Sequence, residues 1–259
     1  VIRLLPSIRR PAAPATAPRR TSTDHPFTTA AEFYDTPKGR LATTLLTDRL
    51  APLLPPSTGR RILGLGYTRP YLAPLAQTGA RTLSARLNQI PMTGTQNARR
   101  DFDCTVDERT LPFDDLCMDA VLAIHALEFA KDPKDLLRAA WKVMADDGHL
   151  ILVLPSRTGF WAQSESTPFG FGTPFSVRQI ERLLADAMFR AETITGALAL
   201  PPLGLTLKRR PARMIDRIAH LARLSGVHII IARKDIYAAL PLTPARGIRA
   251  LKRRIMEPA

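Results

Sequence analysis

Arg61-Ile62-Leu63-Gly64-Leu65-Gly66-Tyr67 is the stretch that decides the fold. A short apolar strand at 61–63 runs into two glycines one residue apart, and a helix is predicted over 71–76. Glycine has no Cβ, so a chain can turn tightly there and approach another group closely. Strand, Gly-x-Gly, helix is the opening unit of a doubly wound α/β sheet, whose ligand crevice lies at the carboxyl ends of the strands.

Later segments fall where the same fold needs them. Short strands are predicted at 81–85 and near 104–106, and a continuously apolar strand at 119–124. Asp132-Pro133 reads as an N-cap followed by proline at N1, starting a helix that runs to Met144. Asp147-Gly148 turns the chain into a buried strand at 150–154, and Ser176 caps a helix bearing Leu183 and Leu184. Two last strands, 191–195 and 227–232, bracket a basic insertion. Strands alternating with helices imply a parallel sheet covered on both faces.

Outside this core the chain changes character. Residues 1–26 are rich in Pro, Ala, Arg and Thr, without period, and are expected to be disordered; the same composition suits a transit peptide. A helical lead-in is expected over 27–56, with Leu41, Leu45, Leu46, Leu50 and Leu53 at helical spacing before Pro55-Pro56. The main domain is expected over 27–240, with a basic helical insertion at 200–226 and a basic tail at 241–259.

The 259 residues are 45% hydrophobic, enough to bury a full core. The net charge of +14 permits an acidic partner such as nucleic acid, reached through basic tails. Those tails hold Arg3, Arg9, Arg10, Arg19 and Arg20 at one end, and Arg246, Arg249, Lys252, Arg253 and Arg254 at the other. No apolar run approaches the roughly 20 residues of a membrane helix. Cys104 and Cys117 have no metal-ligand spacing, and no metal is expected; two reduced thiols in a cytoplasmic protein are the reading.

Three further segments complete an ordered set: Asp107-Glu108-Arg109-Thr110-Leu111-Pro112-Phe113, Asp119-Ala120-Val121-Leu122, and Asp146-Asp147-Gly148-His149-Leu150. With the glycine stretch, this set resembles the class I S-adenosylmethionine-dependent methyltransferases, in particular their type 11 domain group, over residues 61–155. The 167–176 loop resembles that of alphaproteobacterial members. The resemblance implies an α/β, Rossmann-like fold: a seven-stranded, mostly parallel sheet with helices on both faces and an antiparallel last strand. It also implies S-adenosylmethionine as cofactor and methyl transfer as the reaction, with a small molecule as the expected acceptor.

Roles follow from the resemblance. Gly64, Leu65, Gly66 and Tyr67 would form the turn under the methionine and ribose. Asp107 would accept from the adenine amino group, with Glu108 as a substitute neighbour and Leu111 packed near the ring. Ile124 and His125 would line the sulfonium and the acceptor, His125 serving as base and Glu128 orienting it. Phe33 and Tyr34 lie where the family carries a lid. Trp161, Phe169, Phe171 and Phe175 would form an apolar acceptor-side loop.

Two family acids are missing. Ile62 stands two residues before the first glycine, and 82–88 holds no carboxylate to bind the ribose hydroxyls. Ser84 or Asn88 could offer one neutral hydrogen bond instead. Charged hydrogen bonds contribute ~1.5–3 kcal/mol against ~0.5–1.5 for neutral ones. A degenerate, non-catalytic binding protein is therefore the alternative reading, and an RNA methyltransferase using the basic tails is the third.

Overall fold

A computed structural model describes residues 30–54, 56–88, 103–202, 214 and 225–235. The expected tails at 1–26 and 241–259, and the basic insertion save its edges and Met214, lie outside the described residues.

The lead-in forms α1 (Ala30–Asp35) and α2 (Pro37–Leu50). Thr36 caps α2 by accepting from the Gly39 amide, and Pro37 sits in the first turn. Leu41, Ala42, Leu45, Leu46 and Leu50 make its buried stripe. After β1 (Arg61–Gly66) come α3 (Arg69–Gln77), β2 (Arg81–Leu87), β3 (Cys104–Val106) and β4 (Met118–Ile124). The second half is α4 (Pro133–Val143), β5 (Met144–Pro155), α5 (Val177–Asp186), β6 (Phe189–Ala197) and β7 (Val227–Lys234).

Among the described residues seven strands form one sheet, in the order β3-β2-β1-β4-β5-β7-β6. The pairings from β3 across to β5 are parallel, whereas β7 runs antiparallel to both β5 and β6. The expected sheet is thus observed, with the last strand in sequence reversed. Strand order reverses between β1 and β4, so the crevice of this sheet opens at the carboxyl ends of those two strands.

The apolar run of β4 serves two cores at once. Val121 and Ala123 pack with α4 and α5 on one face; Leu122 and Ile124 pack with α1, α2 and α3 on the other. Side chains alternate along a strand, and a sheet covered on both faces needs apolar residues at every position. At the opposite end of β4, the Asp119 carboxylate accepts from the Arg61 amide at 2.7 Å and from Arg60 at 3.2 Å. The Asp of the Asp-Ala-Val segment therefore fastens β4 to the start of β1.

Three local readings change. β1 extends through both glycines to Gly66, so the turn begins later than the sequence suggests. α4 ends at Val143, where Met144 is already extended (ψ 140°). Asp147-Gly148 is a bulge inside β5: Met144 pairs with Met118 and His149 with Ala120, and Asp146 and Asp147 are left exposed between them. The caps hold as read. Asp132 accepts from the Lys134 and Asp135 amides, and Ser176 forms a capping box with Gln179. Cys104 and Cys117 are free thiols. No helix among the described residues is long and apolar enough to cross a membrane.

Candidate active site

Gly66 has φ +77°, and a Cβ there would sit 2.3 Å from the Ile124 carbonyl oxygen and 2.5 Å from that of His125. Only glycine lets the end of β1 lie this close to the end of β4. Tyr67 seals the junction by donating its amide to the Ile124 carbonyl at 2.8 Å. Gly64 serves a different purpose: a Cβ on it would meet Thr68 Oγ1 at 2.1 Å and Leu72 Cδ1 at 2.6 Å. It lets α3 pack down on the sheet. Leu65 is buried in the core opposite α3.

His125 follows β4 directly, in the left-handed region at φ +54°. A non-glycine residue there is strained by roughly 1 kcal/mol or more, and such strain concentrates at functional sites. The ring is only 3% exposed. Its Nδ1 lies 3.2 Å from Glu128 Oε1, and its Nε2 lies 2.8 Å from the Tyr34 hydroxyl. A carboxylate only accepts, so Glu128 places the ring proton on Nδ1 and leaves Nε2 as the acceptor. The second Glu128 oxygen, Oε2, is buried without a hydrogen-bond partner among the described residues. The turn carrying Glu128 is clamped from outside: Thr173 donates to the Glu128 carbonyl at 2.8 Å, and Gly172 (φ +85°) packs against it.

Aromatic rings enclose this pair. The Tyr34 ring stacks on Tyr67 at 5.0 Å and meets Tyr71 edge-on at 6.3 Å. Phe169 lies 4.3 Å from the His125 ring, and Trp161 packs edge-on against both Phe169 and Phe33. Burial raises the Tyr34 hydroxyl well above the ordinary tyrosine range, and neighbouring Tyr71 pushes it the same way. Tyr34 therefore stays a neutral donor toward Nε2.

The aromatic loop does not act as one unit. Trp161 and Phe169 join His125 on the α1–α3 side of the sheet. Phe175 packs in the opposite core with α4 and α5, beside its bridge to Ser156. Phe171 is buried at the edge of the loop. All four are interior residues rather than a solvent-facing flap.

The expected cofactor residues also separate. Asp107 is exposed at the end of β3; its carboxylate accepts from the Arg109 amide at 2.9 Å and from Asn88 Nδ2 at 3.1 Å. The Arg109 amide, then Asn88, hold its pKa below the ordinary aspartate range. Glu108 is buried, with its oxygens taken by the amides of Lys131 (2.7 Å) and Asp132 (3.3 Å). It ties the loop to the start of α4, so it does not stand in for Asp107. Ser84 lies within β2 against Thr68 (Oγ to Oγ1, 3.5 Å), away from the strand end; Asn88 is the residue there. Leu111 is buried in the α4–α5 core.

These positions suit S-adenosylmethionine in part. Asp107 is an ionised acceptor at the rim, Gly66 forms the turn, and Glu128 Oε2 is an orphaned buried acceptor facing the same cluster. At the end of β2, where the resemblance leads one to expect a ribose carboxylate, stands the neutral Asn88, whose amide donates to Asp107.

Comparison with known proteins agrees with this fold. Residues 63–152 match the family described as methyltransferase domain. The curated 27-O-demethylrifamycin SV methyltransferase of Amycolatopsis mediterranei is 31% identical over 137 residues, 48% of this chain and 50% of that protein. The chain thus aligns to about half the length of this relative. A Thermotoga maritima structure described as a "SAM-dependent methyltransferase, possible histamine N-methyltransferase" superposes with TM-score 0.58 at 17% identity, over 79% of this chain and 94% of that one. Geranyl diphosphate C-methyltransferase of Streptomyces coelicolor, solved with S-adenosyl-L-homocysteine, gives 0.50 at 16% identity, over 74% and 76%. At such identities the structures speak for the fold alone.

Proposed function

Residues 63–152 carry a methyltransferase domain within the class I S-adenosylmethionine-dependent methyltransferase fold, and from that premise we propose that this chain methylates a small-molecule acceptor. The cofactor, when bound, would supply an electrophilic sulfonium methyl group, open to in-line attack by the acceptor with the thioether as leaving group. His125 takes the acceptor's proton at Nε2, the nitrogen that Glu128 leaves unprotonated. Glu128 orients the ring and balances its charge once protonated. Phe169 and Tyr67 keep water from the cluster. Asp107 receives the adenine amino group, Gly66 shapes the turn under the methionine, and Asn88 stands at the ribose.

One observation carries this reading. A buried histidine on strained backbone sits at the carboxyl end of β4, packed on Gly66, with a buried carboxylate on its far nitrogen. The name of the curated relative supports a small-molecule acceptor. The second reading, a binding protein without turnover, draws on Asn88 in place of the ribose acid.

The test is His125→Gln, assayed for S-adenosylhomocysteine formation over a panel of small phenols, alcohols and amines. It should bind S-adenosylhomocysteine like the parent and lose turnover by roughly 10²–10⁴-fold. Unchanged turnover would remove His125 from the chemistry. Binding without turnover in the parent would favour the second reading.

A further inference from the structure

The Tyr34 side chain occupies a seat whose other walls are already accounted for. Its ring face lies on Tyr67 (5.0 Å, planes 10° apart), its edge faces Tyr71 and Phe33, and its hydroxyl meets His125 Nε2 at 2.8 Å. Tyr34 belongs to the six-residue helix α1, whereas Tyr67, Tyr71 and His125 all belong to the β1–α3 and β4 elements of the domain. One buried polar atom beside the seat, Glu128 Oε2, has no hydrogen-bond partner among the described residues. A site complete with Tyr34 in place would not leave it orphaned.

Resting on the methyl-transfer reading above, we propose that this seat is the acceptor subsite, that it takes a phenol, and that Tyr34 is its occupant until α1 gives way. The chemistry of the walls selects the acceptor. A flat ring matches the face of Tyr67 and the edge of Tyr71. A hydroxyl that donates matches Nε2, which Glu128 leaves as an acceptor. A phenol is a far stronger acid than an aliphatic alcohol, so a neutral imidazole nitrogen can take its proton as the new bond forms. In the step, the phenol proton passes to Nε2, an oxygen lone pair forms the O–CH3 bond, and the C–S bond of the sulfonium donor breaks with its electron pair going to sulfur. The products are an aryl methyl ether, S-adenosylhomocysteine and a protonated His125, which releases its proton to solvent when α1 opens.

The probe is p-cresol, the side chain of Tyr34 as a free molecule, with toluene and p-toluidine as isosteres lacking the hydroxyl or replacing it by an amine. The full chain and its Tyr34→Ala variant are titrated by calorimetry, then incubated with methyl-labelled S-adenosylmethionine. Tyr34→Ala should bind p-cresol about tenfold tighter than toluene, the worth of one neutral hydrogen bond. It should also form 4-methylanisole faster than the parent does, and label p-toluidine at least about tenfold less. Labelling of p-toluidine over p-cresol, or equal binding of p-cresol and toluene, would overturn the proposal. If Tyr34→Ala fails to fold, the parent and Tyr34→Phe decide it. The parent should form 4-methylanisole slowly, and Tyr34→Phe, which keeps the ring but loses the bond that holds it in the seat, should bind p-cresol more tightly than the parent. Binding by Tyr34→Phe no tighter than the parent's, or no ether from the parent, would count against the seat. Seating of p-cresol without binding of S-adenosylmethionine would overturn the methyl-transfer reading and leave the phenol seat supported.

Discussion

Tyr34 and His125 stand 91 residues apart in the chain and share a buried 2.8 Å hydrogen bond from the phenol to Nε2. The bond fastens the lead-in helix to the end of the fourth strand. Tyr34→Phe keeps the ring stack but leaves a buried nitrogen unpartnered, which costs about 1–3 kcal/mol. Each kcal/mol lowers the melting temperature of a domain this size by about 2–4 °C. A melting temperature within one degree of the parent would show that the bond is not made in solution.

Gly66 and Gly59 form a natural pair for comparison. Both have positive φ, +77° and +73°, yet a Cβ at Gly59 meets nothing within 4 Å. Gly59→Ala should carry only the backbone penalty of roughly 1–2 kcal/mol. Gly66→Ala adds a collision with the Ile124 and His125 carbonyls and should cost clearly more. Urea midpoints measure both, and equal losses would contradict the close approach of β1 and β4.

His149 and His228 set an acid limit on stability. Burial lowers both below the ordinary histidine value of 6.5; at His149 the nearby Arg233 charge adds to it. Below about 6.5 the unfolded chain binds protons that the folded chain refuses, so stability falls as pH drops through that value. It is fully present above it. Urea unfolding at pH 7.5 and 5.5 should show the loss, and His228→Asn should reduce it. A flat profile would mean that both rings are solvated.

Much of this fold is written locally in the sequence. The apolar run at 119–124 had to be a strand buried on both faces, and Asp132-Pro133 and Ser176 had to begin helices, because the physics of each lies within a few residues. The bulge at Asp146-Asp147 was not legible, since it depends on where Met118 pairs across the sheet. Of the site, Gly66 and the His125–Glu128 pair could be read, being three residues apart on one turn. The partnership with Tyr34 could not, because only the folded sheet brings α1 to β4. Asp107 and Glu108 are adjacent carboxylates, and the turn after β3 separates them: Asp107 stays exposed on the Arg109 amide, while Glu108 is buried on the amides of Lys131 and Asp132. The four loop aromatics are close in sequence, but the loop bends so that Phe175 enters the opposite core.

Asp107→Asn isolates the adenine-side contact. The Arg109 amide still has Oδ1 to meet, and the exposed Asn88 loses its partner only to solvent, so the fold should nearly keep its urea midpoint. The exchange of a charged for a neutral acceptor should weaken S-adenosylhomocysteine by about tenfold. Unchanged affinity would move the adenine away from β3.

The account rests on the carboxyl ends of β1 and β4 being a cofactor site despite the missing ribose acid. Calorimetric titration of the full chain with S-adenosylhomocysteine tests this most directly. The account predicts one site per chain with micromolar affinity, weakened by Asp107→Asn. A folded chain that releases no heat with either S-adenosylhomocysteine or S-adenosylmethionine would contradict it.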